Sequence, residues 1–152
     1  KDAKKIINLV INNNIQFIYY FCSPKILNKP NKSQIRTYHK IFEIVPSFLV
    51  KELSKREKIN FFYPSTIFIN KKNRYENDIY SEIKLHSENK LLKVKSENKN
   101  FNLYMPRLPR INTKQNLNIL NIKYPSLIEV LNKDVKIQKL FLFRKWNGEN
   151  TI

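Results

Sequence analysis

The side chains best suited to do chemistry in this sequence are basic and aromatic, and they are concentrated between residues 23 and 40. Lys25, Lys29 and Lys32 lie in a proline-marked stretch, where each ammonium could approach a phosphate and displace its counterion. Arg36 adds a planar fork that can give two hydrogen bonds to one phosphate, which lysine cannot. These residue types predict contact with a nucleic-acid backbone rather than catalysis.

Three further residues of the same stretch fit this chemistry. Tyr38 and His39 could stack on unpaired bases or hydrogen-bond a ribose 2′-hydroxyl, and Lys40 adds another cation. The alternative for any one lysine is a solvated surface charge, and Tyr38 could equally face neighbouring protein. Taken together, the stretch predicts an RNA-binding surface formed by Lys25, Lys29, Lys32, Arg36, Tyr38, His39 and Lys40.

A second basic segment, Met105–Arg110, carries prolines and arginines in close succession. Its prolines limit the entropy that is lost when the segment becomes ordered, and Arg107 and Arg110 could bind phosphates. We expect an extended tail that threads between RNA helices or along a neighbouring protein. The alternative is a linker without order.

The titratable residues argue against an enzyme. His39 and His86 are the only histidines and lack metal-ligand spacing, and Cys22 is the only cysteine. With one glycine in the whole chain, a glycine-rich phosphate loop cannot form. Glu76 and Asp78 lie in a polar stretch typical of a solvated face. We therefore expect no catalytic residue, no metal, no cofactor and no small-molecule substrate.

The overall charge points to a polyanionic partner. The 152 residues include 29 Lys and Arg against 12 Asp and Glu, which gives a net charge of +17. Such an excess repels itself in a free monomer and is best tolerated against nucleic acid. No run of 18 apolar residues occurs, so a membrane-spanning helix is not expected. The abundance of Asn, Lys and Ile indicates an AT-rich genome, as organelles often have.

The elements that must position these side chains follow from residue periodicity. Apolar residues at helical spacing predict a helix over residues 1–14, ended by three consecutive asparagines. β-Branched and aromatic residues predict strands over 15–22, 35–45 and 59–69, the last broken at Pro64. Pro46 suits the first turn of a helix. The first 70 residues therefore read helix, strand, strand, helix, strand.

The remainder of the chain is predicted to be less regular. Residues 71–116 hold many Lys, Asn, Glu and Ser with few apolar residues, which favours an extended segment. Residues 117–123 are compatible with a strand and 124–133 with a short helix, whereas 135–143 fit either element. We expect a compact domain over residues 1–70 and an extended, basic C-terminal extension over 71–152.

The order of residues from Ser23 to Pro46 resembles a known family. Ser-Pro, then Ile-Arg-Thr, then Lys-Ile-Phe-Glu-Ile-Val and a proline are similar in order and spacing to the tenth small-subunit ribosomal protein family. That family has a Ser-Pro-His loop, a strand of the form I-R-T-H-x-R-L-x-D-I and a proline that opens a helix. This chain differs at Lys25 and Tyr38, where the family has histidines.

The resemblance implies an α+β, ferredoxin-like (βαββαβ) core with a long loop between its second and third strands. It implies that this loop, residues 23–34, runs into the head of the small ribosomal subunit. The counterpart of the family's first strand is not evident before Lys1, so a preceding segment or another part of the chain would have to supply it.

Composition and resemblance together predict a structural constituent of an organellar small ribosomal subunit. Its partners would be small-subunit rRNA and neighbouring small-subunit ribosomal proteins, without a membrane. We expect the ribosome of the mitochondrial matrix, with the plastid as the alternative. The alternatives for function are another basic organellar ribonucleoprotein subunit, or a supernumerary structural subunit of a large complex without RNA contact.

Overall fold

The structure is a computed structural model that describes residues 2–55, 58–70, 79–111 and 124–133. The chain divides into two compact units, Lys1–Pro109 and Arg110–Ile152. The described residues of the first unit form the helices α1 (Asp2–Asn12), α2 (Lys32–Tyr38), a π-helix (His39–Ile44), α3 (Val45–Leu53), a 3-10 helix (Ile67–Ile69) and α4 (Ile79–Glu97). Its strands are β1 (Phe17–Tyr19), β2 (Ile59–Phe62), β3 (Ser65–Thr66), β4 (Phe101–Tyr104) and β5 (Arg107–Leu108). In the second unit, α5 spans Leu127–Lys133.

The first helix is where the sequence predicts it. α1 buries Ile7 and Val10 in the core, one turn apart on the same face. The chain leaves the helix through Asn14, which adopts the left-handed conformation with φ of 50°. Asn tolerates this conformation better than other residues with a Cβ, so it replaces glycine here. The predicted asparagine stop is confirmed.

The strands β1, β2 and β4 form a parallel sheet with β2 in the centre. Ile18 pairs with Phe61, and Phe61 in turn pairs with Leu103. A second parallel pair joins β3 to β5, with Ser65 opposite Arg107. Strands therefore form within both 15–22 and 59–69, as predicted, and the chain leaves β2 just before Pro64, which has no N–H to donate to a ladder.

A single apolar cluster lies on one face of this sheet. It joins α1, α3 and α4 to the strands, because alternate residues of β2 and β4 point toward the helices. Parallel strands need long crossover connections, usually helices, because each strand must start at the same end of the sheet. The buried members are Ile7, Val10, Tyr20, Leu49, Val50, Leu53, Ile59, Phe61, Tyr63, Leu91 and Phe101.

The strand predicted over residues 35–45 is wrong. These residues continue α2 into the π-helix and on into α3. Helix α2 begins with a capping box, in which the Asn31 side chain accepts from the Gln34 N–H and the Gln34 side chain accepts from the Asn31 N–H. Tyr38 and Phe42 then fall on one buried face together with Ile83 of α4. Helical packing overrides the β-branched character of this stretch.

Pro46 does not begin a helix, because it lies in the second position of α3, which directly continues the π-helix. A proline inside a helix has no N–H and its ring crowds the carbonyl four residues earlier, here that of Phe42. The π-helix relieves this conflict, and the Val45 N–H bonds the carbonyl of Lys40 instead of that of Ile41. The helix that was predicted to begin at Pro46 is therefore confirmed, but its predicted start is not.

Two backbone carbonyls, those of Ile41 and Phe42, lose the N–H partner that a regular α-helix would give them, and both find partners outside the helix. The Tyr20 hydroxyl donates to the Ile41 carbonyl at 2.6 Å. The hydroxyls of Tyr63 and Ser87 both donate to the Phe42 carbonyl, at 2.7 Å and 2.5 Å. Buried carbonyls without partners are costly, so these hydroxyls make the distorted helix tolerable.

The irregular segment predicted over 71–116 is also wrong in its centre. α4 is a 19-residue helix, and β4 completes the parallel sheet. The first compact unit therefore extends to Pro109, beyond the boundary that we expected at residue 70. Within Met105–Arg110, two residues form β5. The short helix expected within 124–133 is present as α5. The predictions for 117–123 and 135–143 lie outside the described residues.

The described elements are a mixture of helix and strand, which agrees with the predicted α+β class. A ferredoxin-like core is not confirmed. Residues 35–45, which would supply the third strand of that fold, are helical, and the pairing of β1, β2 and β4 is parallel throughout.

Candidate nucleic-acid interface

Three predicted phosphate-binding residues form a basic stripe along one exposed face of α2 and of the π-helix that continues it. Lys32, Arg36 and Lys40 follow one another at four-residue spacing, from the start of α2 into the π-helix, and all three are exposed. Residues four apart lie on the same helix face, with about 5–6 Å between their Cβ atoms. Within the described part of the chain, none of the three forms an ion pair.

The loop before this stripe presents Lys25 and Lys29, both exposed. Tyr38 holds the loop against α2, since its hydroxyl donates to the Lys25 carbonyl at 3.0 Å and accepts from the Leu27 N–H at 2.9 Å. The Tyr38 side chain is only 1% exposed. Stacking of Tyr38 on a base is therefore a prediction that the structure contradicts, because the ring packs against Phe42 and Ile83 and is removed from solvent.

His39 lies beside the stripe but is engaged within the protein. Its Nδ1 is 2.7 Å from Oε2 of Glu43, a buried carboxylate one turn later. Lys90 of α4 donates to Oε1 of Glu43, and Nδ1 of His86 is 3.2 Å from the same oxygen. Burial by itself would raise the pKa of Glu43, but the hydrogen bonds from Lys90 and His39 and the nearby cations lower it overall.

Arg107 is also engaged within its own unit. Its Nε and Nη2 donate to the two carboxylate oxygens of Glu88, at 3.1 Å and 2.7 Å, and its Nη1 donates to Asn70. The hydrogen bond to Glu88 raises the pKa of Arg107. This bidentate pair leaves the guanidinium little capacity for a phosphate. In the second unit, Arg110 is exposed and its guanidinium lies 5.7 Å from the ring centre of Tyr124.

A groove between α3 and α4 was not predicted. Four lysines line it, two from each side, and its volume is about 460 Å³. Lys55 donates to Glu52 at 2.8 Å, and Lys90 is bound to Glu43. We refer to this feature as the lysine groove, and its lining residues are Ser47, Lys51, Lys55, Lys90, Lys93, Val94, Glu97 and Asn98.

Two features of the lysine groove leave hydrogen-bonding capacity unused. The side chains of Lys51 and Lys93 are exposed, and their ammonium groups make no ion pair or hydrogen bond with another described residue. The Ser47 Oγ is shielded from solvent, and no partner for it is found in the same part of the chain. A serine hydroxyl can rotate to donate or accept. The signal in the sequence was the four-residue spacing of Ser47, Lys51 and Lys55, but the opposite wall belongs to a helix that was not predicted.

The positive charge is exposed while the most buried carboxylates of the described residues are neutralised inside the fold. Glu43 and Glu88 are 5% and 3% exposed, and each is bound by cationic side chains. By contrast, the basic stripe and two lysines of the lysine groove face solvent. The positive charge of the stripe and of these two lysines is thus available to an external anion.

Lys84 differs from the lysines of the stripe and the groove because it is buried. Its Nζ donates to the Pro64 carbonyl at 2.6 Å and lies 4.1 Å from the ring centre of Tyr63 and 4.8 Å from that of Phe42. Burial lowers the pKa of Lys84 to about 7, only partly offset by the Glu88 carboxylate. This lysine supports the core rather than the surface field.

No family model, no curated protein and no solved structure matches this chain. Among the described residues, no helix is long and apolar enough to span a membrane. The same residues contain no group of three or more His, Cys, Asp or Glu side chains placed to hold a metal ion. The basic stripe and the lysine groove are therefore the features of this chain that bear on its function.

Proposed function

We propose that this chain is a structural, RNA-binding subunit of a ribonucleoprotein particle, without a catalytic role. The observation that carries the proposal is the basic stripe. Three cations one turn apart repel one another, and each like-charged pair at this spacing costs a helix about 0.2–0.5 kcal/mol. A polyanion lying along the stripe offsets this repulsion, because it attracts all three cations and each of them can replace a counterion on a phosphate.

The surroundings of the stripe support contact with a nucleic-acid backbone. Lys25 and Lys29 on the adjoining loop extend the cationic surface. The Tyr38 hydroxyl fixes the path of that loop through its hydrogen bonds with two of the loop's backbone groups. A fixed loop loses less conformational entropy on binding than a free one. Phosphate contacts of this kind position a protein on RNA without reading its sequence.

The particle that we propose is the small subunit of an organellar ribosome, in the mitochondrion or, alternatively, in a plastid. This part of the proposal is supported by the net charge, by the Asn, Lys and Ile bias and by the residue order of 23–46. It does not draw on a ferredoxin-like core. Small-subunit rRNA and neighbouring ribosomal proteins are the proposed partners.

The test of RNA binding measures the affinity of the full chain for a 20-nucleotide uridine RNA over a range of KCl concentrations. We expect affinity to fall steeply with salt, and the R36Q/K40Q variant to lower the log–log slope by about 1.4, or 0.7 for each phosphate of the single strand that the variant no longer neutralises. K4Q/K5Q is the matched control, because both lysines are exposed on α1. Affinity that is independent of salt would contradict the proposal.

The test of the particle is sedimentation of organelle lysate through a sucrose gradient, with detection of this chain and of small-subunit rRNA. Comigration that survives a high-salt wash supports an integral ribosomal protein. A peak elsewhere that RNase does not move would rule out the ribosomal assignment and favour a structural subunit without RNA contact.

A further inference from the structure

We propose that the lysine groove is a second phosphate-backbone site, in which Lys51 and Lys93 bind phosphate oxygens of an RNA strand and Ser47 donates a hydrogen bond. This inference rests on the proposed RNA-binding function and adds to it a site on another part of the fold. None of the groove residues belongs to the basic stripe.

The chemistry of the lining selects an anionic ligand. Val94 is the only residue with a purely apolar side chain among those that line the groove. Glu97 is the only carboxylate among them, against four ammonium groups. Lys90 and Lys55 are held by Glu43 and Glu52, which leaves Lys51 and Lys93 as the lining cations available to a ligand.

The geometry favours a repeating anion over a single one. Each wall contributes one available cation, Lys51 on one side and Lys93 on the other, so a ligand in the groove meets positive charge from both walls. A nucleic-acid strand carries one phosphate on every nucleotide and can place successive charges along such a groove. The volume of about 460 Å³ exceeds what one phosphate group fills and falls within the usual range for bound small molecules.

Ser47 provides the second observation. A shielded hydroxyl without a partner costs free energy, and native proteins satisfy most such groups. Ser47 is one of the residues that line the groove, and a change of its χ1 rotamer can turn the hydroxyl toward a phosphate oxygen without breaking a hydrogen bond to another described residue. A phosphate bound there would satisfy this hydroxyl.

The experiment compares the K51Q/K93Q and K4Q/K5Q variants of the full chain, which lose the same charge from exposed positions. Binding of the 20-nucleotide uridine RNA is followed by fluorescence anisotropy over a range of KCl concentrations. We expect K51Q/K93Q to lower the log–log slope by about 1.4, whereas K4Q/K5Q leaves it within experimental error. We expect S47A to weaken binding several-fold with an unchanged slope.

The outcomes separate the groove from the general proposal. If both double variants bind RNA with equal affinity and slope, the groove is not a site, while wild-type salt-dependent binding would still support the proposed function. If the wild type binds no RNA, both proposals fail. If K51Q/K93Q loses binding to polyglutamate but keeps its RNA affinity, the groove serves an acidic protein and the inference is wrong. Circular dichroism and urea unfolding confirm that the variants fold.

Discussion

The Tyr63 hydroxyl donates to the Phe42 carbonyl at 2.7 Å, across 21 residues of sequence. This carbonyl cannot bond an N–H four residues later, because Pro46 occupies that position. The hydrogen bond is therefore the tertiary replacement for a missing helical one. The contribution of this hydrogen bond to the free energy of unfolding should therefore depend on Pro46, and this dependence can be measured.

We expect Y63F to lower the free energy of unfolding by about 1–1.5 kcal/mol, because a buried carbonyl loses one of its two donors. In a P46A background the backbone N–H that the substitution restores can take the place of the phenol, so Y63F should cost less there. Urea unfolding of the wild type, both single variants and the double variant gives the coupling. Additive effects would show that the phenol does not compensate for the proline.

We expect the stability of the protein to rise between about pH 7 and pH 10 on account of Lys84. Its pKa of about 7 in the folded state lies below the ordinary 10.5, so the unfolded chain binds one more proton in this range. Stability then increases with pH, at a slope of up to about 1.4 kcal/mol per pH unit. Above pH 10 burial has the opposite effect through Tyr20 and Tyr63, whose pKa values it raises.

Urea unfolding at half-unit pH intervals checks this prediction. K84M should remove the slope between pH 7 and pH 10, whatever its effect on stability at a single pH. K95M is the control, since Lys95 is exposed on the same helix and its loss leaves Lys84 in place. A slope that persists in K84M would assign the proton to another group.

We expect Glu43 to stabilise the fold at neutral pH and to lose this effect in acid. Its pKa is lowered in the folded state, so its contribution is present above the ordinary value of 4.5 and disappears as the pH falls through the folded value. E43Q should cost about 1–3 kcal/mol at pH 7, because Lys90 and His39 lose a buried carboxylate.

The cost of E43Q should shrink as the pH falls from 4.5 through the lower folded value, since the wild-type carboxyl takes up its proton first in the unfolded chain and then in the folded protein. Guanidinium unfolding at neutral pH and at two acidic pH values on either side of 4.5 measures this change. E97Q is the control, because Glu97 is exposed at the end of α4. A cost that is the same at every pH would mean that shape rather than charge sets the role of Glu43.

We expect Y38F to release the loop that carries Lys25 and Lys29. The substitution removes a hydroxyl that bonds two backbone groups of the loop, the Lys25 carbonyl and the Leu27 N–H. Hydrogen exchange at the Leu27 amide should accelerate, while amides in the centre of α4 keep their protection. RNA affinity should fall several-fold with an unchanged salt slope, because no charge is removed. Unchanged exchange at Leu27 would contradict the proposed role.

Local signals in the sequence predicted α1, the strands β1 and β2 and the end of α1 at Asn14. The strand predicted over residues 35–45 was wrong for a physical reason, because Ile35, Tyr38 and Phe42 also fit one face of a helix. Alternation and helical spacing compete in such a stretch, and the Asn31–Gln34 capping box was the signal that could have decided between them.

Helix α4 was missed because its buried face is largely polar. Ser81, Lys84, Ser87 and Glu88 are all buried, so the helix lacks the apolar stripe that periodicity detects. Their partners include groups far away in sequence, such as the Phe42 carbonyl that Ser87 bonds. For the same reason the lysine groove could not be predicted, since one of its walls is this helix.

The parallel sheet imposes an order of events on a chain that grows from its N-terminus. The side chain of Asn60 in β2 bonds the Gln16 carbonyl 44 residues upstream, and accepts from Asn102 42 residues downstream. Until residue 104 has been synthesised, one edge of β2 has no neighbour, and such an edge is prone to pair with other chains. Because α2 and its basic stripe are made before β2, a nascent chain already presents its cations while this edge is still open.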